Sequence, residues 1–237
     1  MANILDSLWI AGVRNYRYLR RNKTFGFRGK QISDAVKVCD KPHYLFFSEC
    51  FPDLKEKIQL ASDMKVLDDF VTEDEENSLL QEVEPELKKL RYEIGHWDNA
   101  IKCYREREKL KWNSVNTRIL ENVKKIAFDH ESVPLKHVHV LDLEENGVIL
   151  PHIDSIKFCG TTIAGISLLS DSVMRLVHDV NKSKIVDVFL RRRSLYIMTG
   201  VARYLYTHEI LGTDNSRFRN EVVKKGRRIS IICRNEP

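Results

Sequence analysis

The chain lacks what a membrane protein or a disulfide-framed secreted domain needs. No stretch approaches the ~20 consecutive apolar residues of a helical membrane span, which leaves a soluble or peripheral protein. The five cysteines, Cys39, Cys50, Cys103, Cys159 and Cys233, are odd in number and scattered, with no CxxC pair. That spacing argues against a disulfide framework and fits free thiols in a reducing compartment. No internal repeat and no low-complexity tract occurs, so repeat architectures are excluded. What remains is a chain of 237 residues and 27.7 kDa, 43% hydrophobic, enough for one domain with a real core and an extension. The net charge of +5 is mildly basic, weak support for a nucleic-acid partner.

Acid is nearly missing from the N-terminal segment: Asp6 is the only acidic residue before Asp34. Arg14, Arg17, Arg20, Arg21, Lys23, Arg28 and Lys30 supply positive charge, and Leu8, Trp9, Val13, Tyr16 and Leu19 recur at roughly helical spacing. Basic, amphipathic and acid-poor is the pattern of a mitochondrial presequence, expected over residues 1–35. A basic tail or a nucleic-acid-binding arm has the same composition. Residues 36–65 read as a poorly defined linker, with a short strand or buried turn at Tyr44 to Phe47.

Residues 66–237 read as the functional domain. Thr72, with Glu75 three positions on, forms a capping box, and Glu73 to Glu76 load the first turn of a helix with negative charge. Leu79, Leu80, Val83, Leu87 and Leu90 give it one apolar face, interrupted by Pro85, which is expected to kink or split it. The stretch from Asn99 to Lys111 is densely charged and helix-like. Another helical run begins at Trp112, with Val115, Ile119, Leu120, Val123 and Ile126 on its buried side. Helices are thus expected within residues 72–130, as a scaffold packed against a sheet.

From residue 135 to 235 the period changes to strands: Val138 to Leu143, a turn at Asn146-Gly147, then Val148 to Asp154, Thr162 to Leu169, Met174 to Val177, Ile185 to Leu190, Ser194 to Met198, Arg203 to Ile210 and Arg228 to Cys233. Short strands with polar turns predict an α+β protein: N-terminal supporting helices and a jelly-roll core, sandwich or closed barrel.

His152 and Asp154 stand two apart on a predicted strand, where alternate side chains share a face. One H-x-D alone is weak in a chain with eight histidines. His208, near the end of another strand, supplies a third ligand. Two histidines and a carboxylate make the facial triad of a non-haem iron site; zinc is the competing metal. His137 and His139 also alternate on a strand but have no partner at suitable spacing, so a surface or core place is expected. Arg228, Ser230 and Arg234 share one face of the last strand, and Ile229, Ile231 and Ile232 mark that strand as internal. Guanidinium groups pair bidentately with carboxylates. The two arginine Cα atoms would lie about 20 Å apart at strand rise, suited to opposite ends of a small diacid.

The pattern His152-x-Asp154, His208, then Arg228-x-Ser230-x-Ile232-x-Arg234 resembles the signature of the AlkB-type iron(II)/2-oxoglutarate dioxygenases. The likeness runs from about Val66 to Arg234 and includes HVLDLEENGVILPHIDSIKFCG, YTHEIL and GRRISIICR. The resemblance implies a double-stranded β-helix with Fe(II) held by His152, Asp154 and His208. It implies 2-oxoglutarate and O2 as co-substrates: Arg228 on the distal carboxylate, Tyr196 as hydroxyl partner, and Ser230 and Arg234 as further contacts. Read alone, Tyr196 would be a core aromatic, and Cys159 and Cys233 buried thiols.

Nucleic-acid-acting members of that family carry Asn and Tyr two apart upstream of the H-x-D. Leu141 and Leu143 stand there in this chain, which shifts part of the co-substrate grip onto Tyr196. Tyr92, Trp97, Tyr104 and Trp112 are the aromatics available for a base-stacking lid, in a charged setting that does not form a convincing one. The expectation is therefore a monomeric protein hydroxylase of the mitochondrial matrix. The resemblance also implies a role in mitochondrial homeostasis, with alkylation-induced necrosis and fatty-acid metabolism as settings. The alternatives are an oxidative demethylase of methylated mitochondrial RNA and a non-enzymatic jelly-roll binding module.

Overall fold

The computed structural model describes residues 42–49, 51, 53–95 and 100–237; the basic segment 1–35, Cys39, Cys50 and Trp97 lie outside them. In chain order the elements are β1 (Leu45–Phe47), α1 (Leu54–Asp63), β2 (Met64–Leu67), α2 (Glu73–Leu87), β3 (Ile101–Lys109), α3 (Ser114–Ala127), β4 (Val138–His152) and β5 (Ile163–Leu168). There follow β6 (Ser172–His178), β7 (Ile185–Leu190), β8 (Leu195–Met198), α4 (Gly200–Tyr204), β9 (Tyr206–Ile210), β10 (Arg217–Phe218), β11 (Glu221–Val222) and β12 (Arg228–Arg234). Among the described residues no helix is long and apolar enough to cross a membrane.

Helix α2 starts at the capping box: Glu75 N–H donates to Thr72 Oγ1 while Thr72 N–H donates to Glu75 Oε2. Pro85 does not split the element into two, because it falls in the last turn, where the missing donor costs one bond and Lys88 N–H still reaches Glu84 O. Three further expectations are corrected. The charged stretch Ile101–Lys109 is a strand, not helix-like: its register on β4 sets Tyr104 opposite Leu143 and Glu106 opposite Leu141. Its alternating charges suit an edge strand, which must resist pairing with other chains. Asn146-Gly147 is not a turn; β4 runs unbroken through it, pairing with β12 in its first half and with β9 at its end. A Cβ on Gly147 would lie 2.6 Å from Cys103 O, so glycine serves the close approach of β3 there. The expected strand from Arg203 divides into α4 and β9, because Asp63 at the end of α1 accepts from Val201 N–H and caps the short helix. That partner lies far away in the chain. Residues 54–65, read from the sequence as linker, hold α1 and the start of β2, on which Val66 stands opposite Tyr196.

The main sheet is antiparallel, in the order β1-β7-β6-β9-β4-β12-β5-β8-β2, with β3 beside β4. It curls into the double-stranded β-helix expected of an α+β jelly-roll. Two cores result. Ile229, Ile231 and Cys233 of β12 and Ala164, Ile166 and Leu168 of β5 turn outward onto Leu79, Val83 and Leu87 of α2 and Ile119, Leu120 and Val123 of α3. The alternate residues turn inward: Leu141, Leu143, Ile163, Tyr196, Met198 and Ile232 line the inner face. Arg228, Ser230 and Arg234 share the inward parity of Ile232.

Candidate metal centre

β4 ends at His152, and β9 lays His208 directly opposite it. The two imidazole centroids are 4.3 Å apart. Asp154 is not on the strand, as its spacing suggested, but in the loop just beyond, where the chain turns its carboxylate back toward both rings. Asp154 Oδ1 lies 3.3 Å from His152 Nε2 and 3.7 Å from His208 Nε2. The three candidate donor atoms lie within 4.8 Å of one another.

Hydrogen bonds set the protonation of these groups. His152 Nδ1–H donates to Leu150 O at 2.9 Å, which turns Nε2 toward Asp154. A ring nitrogen tied to a backbone carbonyl is the usual outer support of a metal-bound histidine. Burial, reinforced by the neighbouring His152, lowers the His208 pKa to about 3, which keeps this imidazole neutral. Burial raises the Asp154 pKa, but the Arg234 charge and the bonds with the histidines outweigh it and hold the carboxyl well below its usual range. Two imidazoles and an ionised carboxylate, all converging, make a donor set that fits a divalent transition metal.

Tyr196, Arg228, Ser230 and Arg234 come together on the inner sheet face beside this triad. Arg228 is 2% exposed; its Nε donates to Ser167 Oγ at 2.9 Å, while Nη2 is buried and meets no acceptor among the described residues. The Ser230 hydroxyl is likewise buried and unpartnered. Burial lowers the Arg228 pKa to about 10, opposed by Tyr196, so the guanidinium stays charged. Buried donors without acceptors fit an anionic ligand. Tyr196 packs against Gly165: a Cβ there would be 2.5 Å from the ring. Leu143 stands opposite Arg228 and Leu141 opposite Ser230, so both leucines wall this pocket with apolar surface.

Two contacts escaped the sequence reading. Arg234 Nη1 donates to His139 Nδ1 at 3.2 Å, and His139 Nε2–H donates to Glu106 Oε2 at 2.8 Å. His139 is therefore neither surface filler nor a metal ligand but a support for Arg234. Its even spacing with Leu141 and Leu143 was the available signal. Arg203, from α4, is buried beside Cys159; nothing in its local sequence marks it.

No protein-family model matches the chain. A relative from Bos taurus, the mitochondrial alpha-ketoglutarate-dependent dioxygenase alkB homolog 7, is 51% identical over 168 residues, covering 71% of this chain and 76% of the relative. The chain belongs to the AlkB homolog 7 family of 2-oxoglutarate-dependent dioxygenases. The Mus musculus member is 49% identical over the same coverage. Among solved structures, OsALKBH1 superposes with a TM-score of 0.52 at 15% identity, covering 73% of this chain and 97% of that one. A prolyl hydroxylase from Trichoplax adhaerens, in complex with a hypoxia inducible factor peptide, gives 0.52 at 10% identity, covering 74% and 84%. These two likenesses show the fold alone. As a member of the family the chain is an Fe(II)- and 2-oxoglutarate-dependent oxygenase, and both curated relatives are mitochondrial.

Proposed function

We propose that the chain is a protein hydroxylase of the mitochondrial matrix, with His152, Asp154 and His208 as its iron ligands. The observation that carries the metal assignment is the meeting of two imidazoles and Asp154 Oδ1 within 4.8 Å. Iron(II) with 2-oxoglutarate and O2 supplies, when bound, oxidative decarboxylation of the co-substrate coupled to oxidation of a C–H bond. The chain's own residues do the rest. Arg228, Ser230 and Tyr196 hold the distal carboxylate of 2-oxoglutarate in a dry pocket, where charge-assisted hydrogen bonds are strong. Arg234 fixes the orientation of Asp154, and Leu141 and Leu143 keep water from the wall between them.

The protein-substrate reading is supported by the site mouth. Ile156 and Phe158, just past Asp154, are 67% and 74% exposed and offer apolar contact to a polypeptide. Two aromatics considered for a base-stacking lid are engaged elsewhere: Tyr92 donates to Asp142 under the Arg105 guanidinium, and Tyr104 belongs to the inner core. The test is incubation with iron(II), 2-oxoglutarate and mitochondrial extract, and in parallel with methylated transfer RNA. The expected outcome is a gain of one oxygen on a protein residue. Loss of methyl groups from the RNA, with proteins unchanged, would instead establish a demethylase.

A further inference from the structure

Arg203 is one of the largest fully buried side chains among the described residues, 1% exposed. Its guanidinium lies 5.0 Å from the Tyr204 ring centroid. Its Nη2 donates to Cys159 O at 3.2 Å, and the guanidinium also reaches the Cys159 thiol. Nε and Nη1 are both buried and meet no acceptor among the described residues. Other partly buried arginines here sit on acids, Arg175 on Asp187 and Arg105 on Asp142. A guanidinium sealed from water without a counter-ion is costly, and a protein keeps one where an anion offsets that cost. Arg203 is also close enough for its charge to be felt at His208 and at Cys159.

The charge balance of the site points the same way. Three buried arginines, Arg203, Arg228 and Arg234, stand near the triad, of which only Arg234 pairs with its carboxylate, Asp154, and a divalent metal and dianionic 2-oxoglutarate would cancel each other. The loaded site therefore stays positive. Arg228 and Arg234 flank Tyr196, whose charge environment they dominate, whereas Arg203 stands under the loop of residues 155–160. That loop carries the exposed Ile156 and Phe158 and meets Arg203 through Cys159.

Building on the residue assignments of the proposed function, we propose that Arg203 is a third carboxylate-binding arginine of this site. The charge balance favours an acidic group of the molecule being oxidised over 2-oxoglutarate itself. Arg203 Nη2 carries a second N–H beyond the one given to Cys159 O, so it completes a bidentate fork on a carboxylate with Nε or with Nη1.

The test uses the full chain loaded with zinc in place of iron. The Arg203 Nε–H resonance is assigned by its disappearance in Arg203→Lys, then followed during titration with 2-oxoglutarate and, at saturating 2-oxoglutarate, with N-acetylaspartate amide. N-acetylasparagine amide is the uncharged control. A saturable downfield shift with the aspartate probe alone, with a parallel rise in melting temperature lost in Arg203→Lys, supports a substrate acid. A shift on adding 2-oxoglutarate, with about tenfold weaker 2-oxoglutarate binding in Arg203→Lys, assigns the carboxylate to the co-substrate. A resonance that neither acid moves, in a wild type that binds 2-oxoglutarate normally, overturns this inference alone. A wild type that binds no 2-oxoglutarate overturns it together with the assignments on which it rests.

Discussion

Arg234 Nε donates to Asp154 Oδ2 at 2.8 Å, while the other oxygen, Oδ1, is the one that faces His152 and His208. One guanidinium thus divides the carboxylate: Oδ2 is bound by protein and Oδ1 is presented to the triad. His139 and Glu106 hold Arg234 from behind.

Removing that support should loosen the metal before it touches anything else. Arg234→Met is expected to weaken iron binding by roughly 10–100-fold, the usual effect of losing an outer partner of a ligand. His139→Ala should have a smaller effect in the same direction. Isothermal titration with Fe(II) or its surrogate Mn(II) under anaerobic conditions measures both. Unchanged affinity in Arg234→Met would show that the Asp154 orientation is set elsewhere.

Arg228 has a buried Nη2 and Ser230 a buried hydroxyl, neither with a partner among the described residues. Arg228→Met should raise the KM for 2-oxoglutarate by about 30-fold, equivalent to ~2 kcal/mol, with metal affinity unaffected. Arg228→Lys should recover part of this, because it restores charge but not the planar fork. Steady-state kinetics with varied 2-oxoglutarate decide it.

Gly165 gives the Tyr196 ring its seat. Gly165→Ala is expected to displace the phenol and to cost about 1–3 kcal/mol of stability, as overpacking does. The KM for 2-oxoglutarate should rise with it. A melting curve and the same kinetics report the two effects; a neutral substitution would mean that Tyr196 moves aside without consequence.

His178 Nδ1 accepts from the backbone N–H groups of Val180 and Asn181, both at 3.1 Å, which requires the neutral ring. Burial, then the Lys184 charge, holds its pKa below the ordinary value near 6.5. The unfolded chain therefore takes this proton more readily than the folded one. Stability from this group is complete above about pH 6.5 and is lost as the pH falls below it. Melting temperatures between pH 7.5 and 5.5 should fall more steeply for the wild type than for His178→Asn. Parallel slopes would contradict the assignment.

Much of this was legible in the sequence, for identifiable reasons. The arginine strand is a local pattern whose alternate side chains must share a face, and β12 carries Arg228, Ser230 and Arg234 inward as the period of two requires; the H-x-D brings His152 and Asp154 together although Asp154 lies in the loop beyond β4. The α2 start was legible because its capping box is complete within four residues. What escaped depends on partners distant in the chain. β3 is a strand because β4 pairs with it, against its charged composition. α4 is a helix because Asp63 caps it. Arg203 owes its burial to the loop after Asp154, which no local pattern around residue 203 announces.

The central claim is that His152, Asp154 and His208 would hold the iron with which O2 oxidises 2-oxoglutarate. Its most direct measurement is succinate formation from 2-oxoglutarate by anaerobically reconstituted protein exposed to O2, comparing wild type with His208→Ala. His208→Ala is expected to fold, with a melting temperature close to that of the metal-free wild type. Succinate should form with the wild type only when iron is present, and the variant should fall to the iron-only background. Equal rates from the folded variant and the wild type would contradict the account.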